Sequence, residues 1–465
     1  MKKIYNFIMC LAVSGLVASC DMDTEVAQYK DAESAFNTVS DLSNAINGAY
    51  YYLGSTGFAG RNVIAFGDCS SGVTKGSEAK GWFAAIGQYS ISTSESEFKD
   101  CYNNGYKVID QTTRIIKGGT GINGAEQYVA EAHGLRALSN WYLVNLFGLP
   151  LHSSASTLGL ILVDEEPIEA FQEVHRSTVA ETYALIEKDI NTALSLFDKA
   201  GDRGAFYMNK GAVEALKARV ALDKADYSGA ITAAKAAIDW RATGAADAAD
   251  ANPSNEEYVS MWTNGSANVA ETSEDIFSIL KSSSWGNSLS TLYNSYENVL
   301  SIWSSQIFDQ ENDIRWQLVD DRPCGYQPMK YRGTSVGGSI ANVPLMRKSE
   351  MALVLAEAYA QQGDIAQAKN YLTYTAKRNV KFESDILPTI NTKDDVMAFL
   401  QNERVREFFA EGHYWFDARR LGYKVQSNYY KDFDIQKFCF PIPEAEISAN
   451  AGVEQNTDWH NNVPK

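Results

Sequence analysis

Cysteine is scarce in this chain, six residues in 465. Beyond Cys20 only Cys69, Cys101, Cys324 and Cys439 remain, with no C-x-x-C pair and no zinc-type spacing. A zinc ribbon and a densely disulfide-stapled scaffold are thereby excluded. Isolated core thiols are the simpler reading, although a Cys69–Cys101 bridge is open in an oxidising compartment. The five histidines, His133, His152, His175, His413 and His460, include no i, i+4 pair of the kind that holds a metal on a helix. No glycine-rich phosphate cradle is present. Basic charge is in deficit, with a formal net charge of −17. Nucleic acid binding needs the opposite sign along a stripe or patch. The same field works against polyanionic glycans unless a local basic pocket overrides it. A spanning helix takes about 20 consecutive apolar residues, and the run Ile4–Ala18 is too short and is broken by Asn6, Ser14 and Gly15. Nothing later in the chain resembles a span, while 45% apolar content is ample for a large core.

What is present begins with Met1-Lys2-Lys3, the apolar run, and the small residues Val17-Ala18-Ser19 before Cys20. That order of basic, apolar and small predicts a signal peptide over residues 1–19. Val-Ala-Ser-Cys resembles the bacterial lipobox, which makes Cys20 the expected lipidation site. Each buried methylene contributes about 0.8 kcal/mol, so several acyl chains hold a protein durably on a membrane. With Lys2 and Lys3 removed, 39 basic side chains face 58 acidic ones, a formal −19.

Helical periodicity dominates the rest. Ala132, Leu135, Leu138, Tyr142 and Leu146 recur at steps of three and four between Glu126 and Phe147. Gly148, suited to a left-handed cap, and Pro150 then stop the helix. Thr178 with Glu181 reads as a capping box opening a helix that carries Val179, Tyr183, Ile186, Ile190 and Phe197 on one stripe. Asn209 caps a helix through Leu222, and after Lys224-Ala225-Asp226-Tyr227 another presents Ala230, Ala234 and Ile238. Residues Ser349–Ala376 repeat that layout. Placing Ala225-Asp226-Tyr227 on Gly363-Asp364-Ile365 superposes Ala230 on Ala368. Small residues flanking a tight turn are what close antiparallel helices require, as in tetratricopeptide hairpins, although an ordinary helical bundle remains open. The units are not consecutive.

Two excursions interrupt the hairpins, about 54–97 and about 243–343. The first is rich in Gly and Ser and holds Trp82, Phe83 and Tyr89. The second opens on the low-complexity stretch 244–250 and contains Trp262, Trp285, Trp303, Trp316, Tyr293, Tyr296 and Tyr326. Loops this long are functional or disordered, and their aromatic density argues for order.

A catalytic constellation is harder to find. Gly333-Thr334-Ser335-Val336-Gly337 matches G-x-S-x-G, but a nucleophile elbow follows a buried strand, and Tyr331-Arg332 is not one. Paired carboxylates suit glycoside hydrolysis, yet Asp320-Asp321 or Glu165-Glu166 carry little information in so acidic a chain.

From Cys20 to near the end the chain resembles the SusD/RagB family of Bacteroides-type outer-membrane lipoproteins. The resemblance rests on Glu403-Arg404-Val405-Arg406-Glu407-Phe408 with Glu411-Gly412-His413-Tyr414-Trp415-Phe416-Asp417-Ala418-Arg419-Arg420-Leu421-Gly422. It rests also on Phe440-Pro441-Ile442-Pro443 with Asn450, Gln455 and Asn456, where Ala451 replaces a common proline. Arg136, Arg176 with Tyr183 and Asp189, and Arg347 with Glu350 match further, whereas Thr112-Thr113 stands where an asparagine is common. The charged corner reads as structural ion pairs.

The resemblance implies a mostly α fold in one domain, residues 20–465. Tetratricopeptide-like hairpins form the scaffold, and long irregular excursions carry the ligand site. It further implies a non-catalytic cell-surface protein, without cofactor or metal, that captures a glycan and delivers it to a partner TonB-dependent outer-membrane transporter of the SusC type. Asp21, Asp23 and Glu25 resemble the export signal of lipoproteins facing the cell exterior. Sugars are gripped by rings laid on their C–H faces and by polar groups on their hydroxyls. The expected rings are Trp82, Trp285, Tyr296, Trp303 and Trp316, with Asp68, Asn103 and Arg61 as hydrogen-bonding partners, while Trp141 and Trp415 read as core. A peptide-binding or adaptor protein of the same fold and a surface glycoside hydrolase remain the rival classes.

Overall fold

The computed structural model describes residues 35–169, 171–240, 253–263, 271–332, 340–426, 429–430, 433–457, 459–460 and 462–464. The leader, Cys20, the stretch 244–250 and the G-x-S-x-G segment lie outside the described residues.

The main helices are α1 (Val39–Leu53), α2 (Asn62–Ser70), α3 (Ser96–Gly119), α4 (Glu126–Phe147), α5 (Val179–Ala200), α6 (Lys210–Asp223) and α7 (Tyr227–Asp239). After the second excursion come α8 (Lys348–Gln361), α9 (Ile365–Ala376), α10 (Lys393–Phe408) and α11 (Tyr414–Leu421). Strands are short: β1 (Thr74–Lys75), β2 (Asp275–Ile279), β3 (Val299–Leu300), β4 (Val319–Arg322), β5 (Gly325–Pro328) and β6 (Val343–Arg347). No described helix is long and apolar enough to cross a membrane.

Helices α1, α3, α4, α5, α6, α7, α8 and α9 pack each on the next, so the row passes from α7 straight to α8. The second excursion therefore leaves the row and returns to it. Its base is closed by β2 pairing antiparallel with β6, Ile279 opposite Val343. Local chemistry sets the boundaries. Thr178 and Glu181 form the reciprocal capping box that starts α5, and the Asn209 side chain accepts from the Ala212 amide to start α6. The two aligned hairpin turns agree in detail. Ala225 and Gly363 are both left-handed, with φ of 55° and 84°, and Asp226 and Asp364 cap α7 and α9 in nearly the same backbone conformation. At Gly148 the outcome differs from a left-handed cap: φ is −121° and the residue is extended. Glycine is required there because a Cβ would lie 2.8 Å from the Val144 carbonyl oxygen.

The first excursion is less irregular than its composition suggests, since every residue of α2 is buried. Val63, Ile64, Ala65 and Phe66 supply apolar surface on all sides of this helix, which drives it into the core. Gly67 meets the Gly412 backbone so closely that a Cβ would lie 2.1 Å from the Gly412 oxygen. Cys69 and Cys101 are free, buried thiols, so the bridge between them does not form.

The charged corner is interior. Glu403, Glu407 and Glu411 are buried. Arg315 is chelated by Asp313, Glu403 and Glu407. Arg347 bridges Glu274, Glu407 and Glu411, and Lys330 donates to Glu411 at 2.6 Å. Burial works against the Glu407 charge, but Arg378, Arg347, Arg315 and Lys330 outweigh it and hold the carboxyl at about 2. At the C-terminus, Gln455 bonds both the amide and the carbonyl of Ile442. Asn456 donates to the carbonyls of Phe147 and Phe440, which straps the proline segment to the end of α4.

Candidate functional site

The two excursions meet at one place. Strand β1 pairs antiparallel with β3, Thr74 opposite Leu300. Ser304 donates through its hydroxyl to the Val73 carbonyl at 2.6 Å, and Tyr293 donates to Asp68 at 2.8 Å. Lys80 reaches to within 3.8 Å of Glu297. These ties bring Trp82 from the first excursion against Tyr296 from the second. Their rings are stacked, with centroids 3.7 Å apart and planes 12° from parallel. Both rings are half-buried. Aromatic pairs prefer offset or edge contacts at about 4.5–7 Å, and this pair is closer than that and nearly parallel. Each ring is followed by a non-glycine residue in the left-handed region, Phe83 at φ 60° and Glu297 at φ 56°. A left-handed L residue costs roughly 1–2 kcal/mol, and such residues cluster at ligand clamps.

Arg61 completes the cluster. Its guanidinium lies 4.6 Å from the Trp82 ring centre and 5.4 Å from that of Phe83. Nε donates to Asn62 at 2.9 Å, and Asn62 in turn donates to the Glu97 carbonyl. Burial lowers the Arg61 pKa, while the charges of Glu97 and Asp100 oppose that shift. The other buried arginines each bond at least one terminal nitrogen to a carboxylate or carbonyl, as Arg419 does to the carbonyls of Asn145, Gly148 and Phe438. Among the described residues Arg61 makes no such bond, which leaves a planar pair of donors beside two rings.

The remaining expected site residues fall into three groups. Asn103 is exposed on α3, three residues from Asp100 and so on the same face. Trp285 stands apart from Trp82 and Tyr296, paired instead with Tyr51, centroids 5.8 Å apart and planes at 21°. Trp303 and Trp316 are half-buried packing rings: Trp303 lies on Tyr414 of α11, and Trp316 is held between Phe308 and Tyr326. Asp68 requires correction as a ligand contact. It is fully buried, accepts from Tyr293 and from the Gly412 amide, and burial raises its pKa to about 7 despite both bonds. Its carboxyl joins α2, the second excursion and the turn before α11, and does not face solvent. Trp141 and Trp415 are buried as expected. Tyr51 was not among the expected rings. The available signal was Tyr51 lying off the α1 stripe of Leu42, Ile46, Ala49 and Leu53, an aromatic on a helix's polar face.

A separate cavity of about 40 Å³ lies inside the scaffold, among Trp141, Arg219, Glu350, Arg404 and His413, and none of its walls comes from the ring cluster. No group of three or more His, Cys, Asp or Glu among the described residues could hold a metal ion.

Comparison with known proteins agrees with the architecture. The SusD family profile matches residues 258–459, and a profile described as starch-binding associating with outer membrane matches residues 25–222. The chain belongs to the SusD/RagB family. SusD-like protein P2 of Formosa agariphila is 22% identical over 525 residues, covering 98% of this chain and 99% of that protein. Among solved SusD-type structures, a SusD superfamily protein from Bacteroides vulgatus superposes with a TM-score of 0.79 at 24% identity, covering 91% of this chain and 100% of that one. The surface glycan-binding protein A of Bacteroides fluxus gives a TM-score of 0.69 at 18% identity, with coverage of 91% and 100%. These likenesses extend the SusD fold over both excursions as well as the helical row.

Proposed function

We propose that this SusD-family chain is a non-catalytic glycan-binding lipoprotein of the outer membrane. In this reading it faces the cell exterior through acyl chains on Cys20, captures an oligo- or polysaccharide, and passes it to a partner TonB-dependent transporter. The observation that carries the binding reading is the stack of Trp82 on Tyr296 with the Arg61 donors, unpaired among the described residues, beside it, held by strained backbone where the excursions meet. A pyranose offers an apolar C–H face and a rim of hydroxyls, and rings beside a planar guanidinium match both. Ring contacts contribute on the order of 1 kcal/mol each, which suits capture followed by release. Surface tethering raises effective concentration without stronger contacts. The family's outer-membrane description and the Val-Ala-Ser-Cys sequence support the location.

The test is calorimetry of the full-length chain in detergent against a panel of neutral and acidic glycans, with reducing-end release followed in parallel. Saturable binding without cleavage is expected, weakened about fivefold or more in Trp82→Ala and in Tyr296→Ala. Release of reducing ends would establish an enzyme. Absence of binding to every glycan would overturn the capture reading in favour of a peptide or adaptor role.

A further inference from the structure

Arg61 is only 8% exposed, and a buried cation is costly unless it is paired. Other buried cations have partners: Lys281 donates to the Gly54 carbonyl at 2.7 Å and Lys330 to Glu411 at 2.6 Å. Arg61 spends Nε on the Asn62 side chain and keeps both terminal nitrogens unbonded among the described residues. Neither of them is sealed in the interior, as the unpartnered Nη1 of Arg404 is. The end-on edge of the guanidinium therefore opens to solvent.

Its position is fixed from several sides. The rings of Trp82 and Phe83 lie against it. Asn62 is fully buried and acts as a strut, accepting from Arg61 Nε and donating to the Glu97 carbonyl at 3.1 Å. The preceding residue, Gly60, packs so tightly on Gly54 that a Cβ would lie 2.2 Å from the Gly54 oxygen.

Two carboxylates, Glu97 and Asp100, act on the guanidinium through their charge, but neither bonds it. The Glu97 carboxylate accepts from the Ser96 hydroxyl at 2.9 Å, and Asp100 is exposed. Together they fall short of offsetting burial, which holds the Arg61 pKa below its ordinary value. The cation is under-compensated, and a bound anion would complete it.

Two terminal N–H donors match the two oxygens of one carboxylate or sulfate, and such charge-assisted pairs are roughly twice as strong as bonds between neutral groups. A sugar hydroxyl offers one oxygen and no charge. The chain as a whole pulls the other way, because its formal charge is −17 and a polyanion meets that field along its whole length. Screening at physiological salt confines charge interactions to about 8 Å, so a single anionic group seated at Arg61 is governed by its immediate partner.

We propose that the sugar unit bound at the Trp82–Tyr296 stack carries an isolated anionic group, a carboxylate or a sulfate, held end-on by the two terminal nitrogens of Arg61. This inference rests on the glycan-capture reading and adds to it the charge class of the ligand. Asn62 is a positioning residue for the guanidinium.

The experiment is calorimetry of the full-length chain in detergent with matched pairs of glycans. Glucuronoxylan, arabinogalactan bearing sparse uronic acid, and sparsely sulfated galactan are each compared with a carboxyl-reduced or desulfated counterpart, and polygalacturonate supplies a carboxylate on every residue. At least one sparsely charged glycan is expected to bind and to lose about tenfold or more when its anionic group is removed; the uronate and sulfate pairs tell the two sources apart. In Arg61→Gln the ratio between charged and neutral forms should fall to about one, and in Arg61→Lys, which keeps the charge and loses the fork, to an intermediate value. The ratio is taken within each variant, so lowered stability does not mimic the effect, and the wild-type pairs decide even where a variant fails to fold. Neutral counterparts that bind wild type as tightly as the charged forms, or a preference that survives Arg61→Gln, would overturn the anion seat and leave the capture reading standing. Tighter binding of polygalacturonate than of the sparsely charged glycans at low salt would overturn the preference for an isolated charge. Binding to no glycan would overturn both readings.

Discussion

Arg61 and Asp68 stand seven residues apart and meet opposite environments. Arg61 lies at the edge of α2, and its terminal nitrogens meet no acceptor among the described residues. Asp68 lies inside, where its carboxyl can ionise only against burial. Residue type alone could not separate them, since both fit hydroxyl recognition; the decision lies in the helix α2 between them, whose apolar run carries Asp68 inward. The sign of the Asp68 effect follows from its raised pKa. Between about pH 4 and about 7 the folded chain keeps a proton that the unfolded chain has released. Its contribution to stability is therefore complete below about pH 4 and is lost as pH rises through about 7. Asp68→Asn keeps the shape and removes the titration. The melting temperature of wild type relative to Asp68→Asn should fall steadily from pH 4 to pH 7. A flat difference across that window would show that Asp68 is ionised in the fold.

At the level of elements, the helices were legible wherever a local rule was complete. The capping box at Thr178, the Asn209 cap, and the shared turn of the two hairpins each placed a boundary correctly, because the satisfying groups lie within four residues of the orphan amides. The excursions were legible as ordered and aromatic, but not in which rings would pack and which would face solvent. Half-buried Trp316 and half-buried Trp82 look alike in sequence; long-range partners, Phe308 and Tyr326 for one and Tyr296 for the other, make the difference. The hairpin alignment makes its own prediction. Ala225 holds the left-handed position that glycine fills in the second hairpin, at Gly363. Ala225→Gly should therefore stabilise the chain by roughly 0.5–1 kcal/mol, and Gly363→Ala, with φ at 84° and no atom within 4 Å of the added Cβ, should destabilise it by about 1 kcal/mol. Urea unfolding of both variants checks the pair. Shifts of the same sign would mean that the two turns are not equivalent.

Across the whole molecule, the helical row and the second excursion are joined by buried charge in addition to apolar surface. Glu407, near the end of α10, faces Arg347 of β6, Arg378 beyond α9, and Arg315 of the excursion. Glu411 continues the network to Lys330, and the next residue, Gly412, bonds Asp68 of α2. Removing one partner from a buried network leaves the others uncompensated, at roughly 3–5 kcal/mol. Glu407→Gln preserves volume and removes only the charge, so its cost should be of that size in urea unfolding above pH 5. Because the Glu407 pKa is held down near 2, that stabilisation is present above the ordinary carboxylate range and is lost as pH falls through about 2. The loss also has a place. Amides of β6, of α10 and of residues 313–331 should lose hydrogen-exchange protection together, while α5 and α7 keep theirs, since the network touches neither of those two helices. Loss confined to α10 would mean that apolar packing alone holds the excursion, and the ion network would then have no part in positioning the rings.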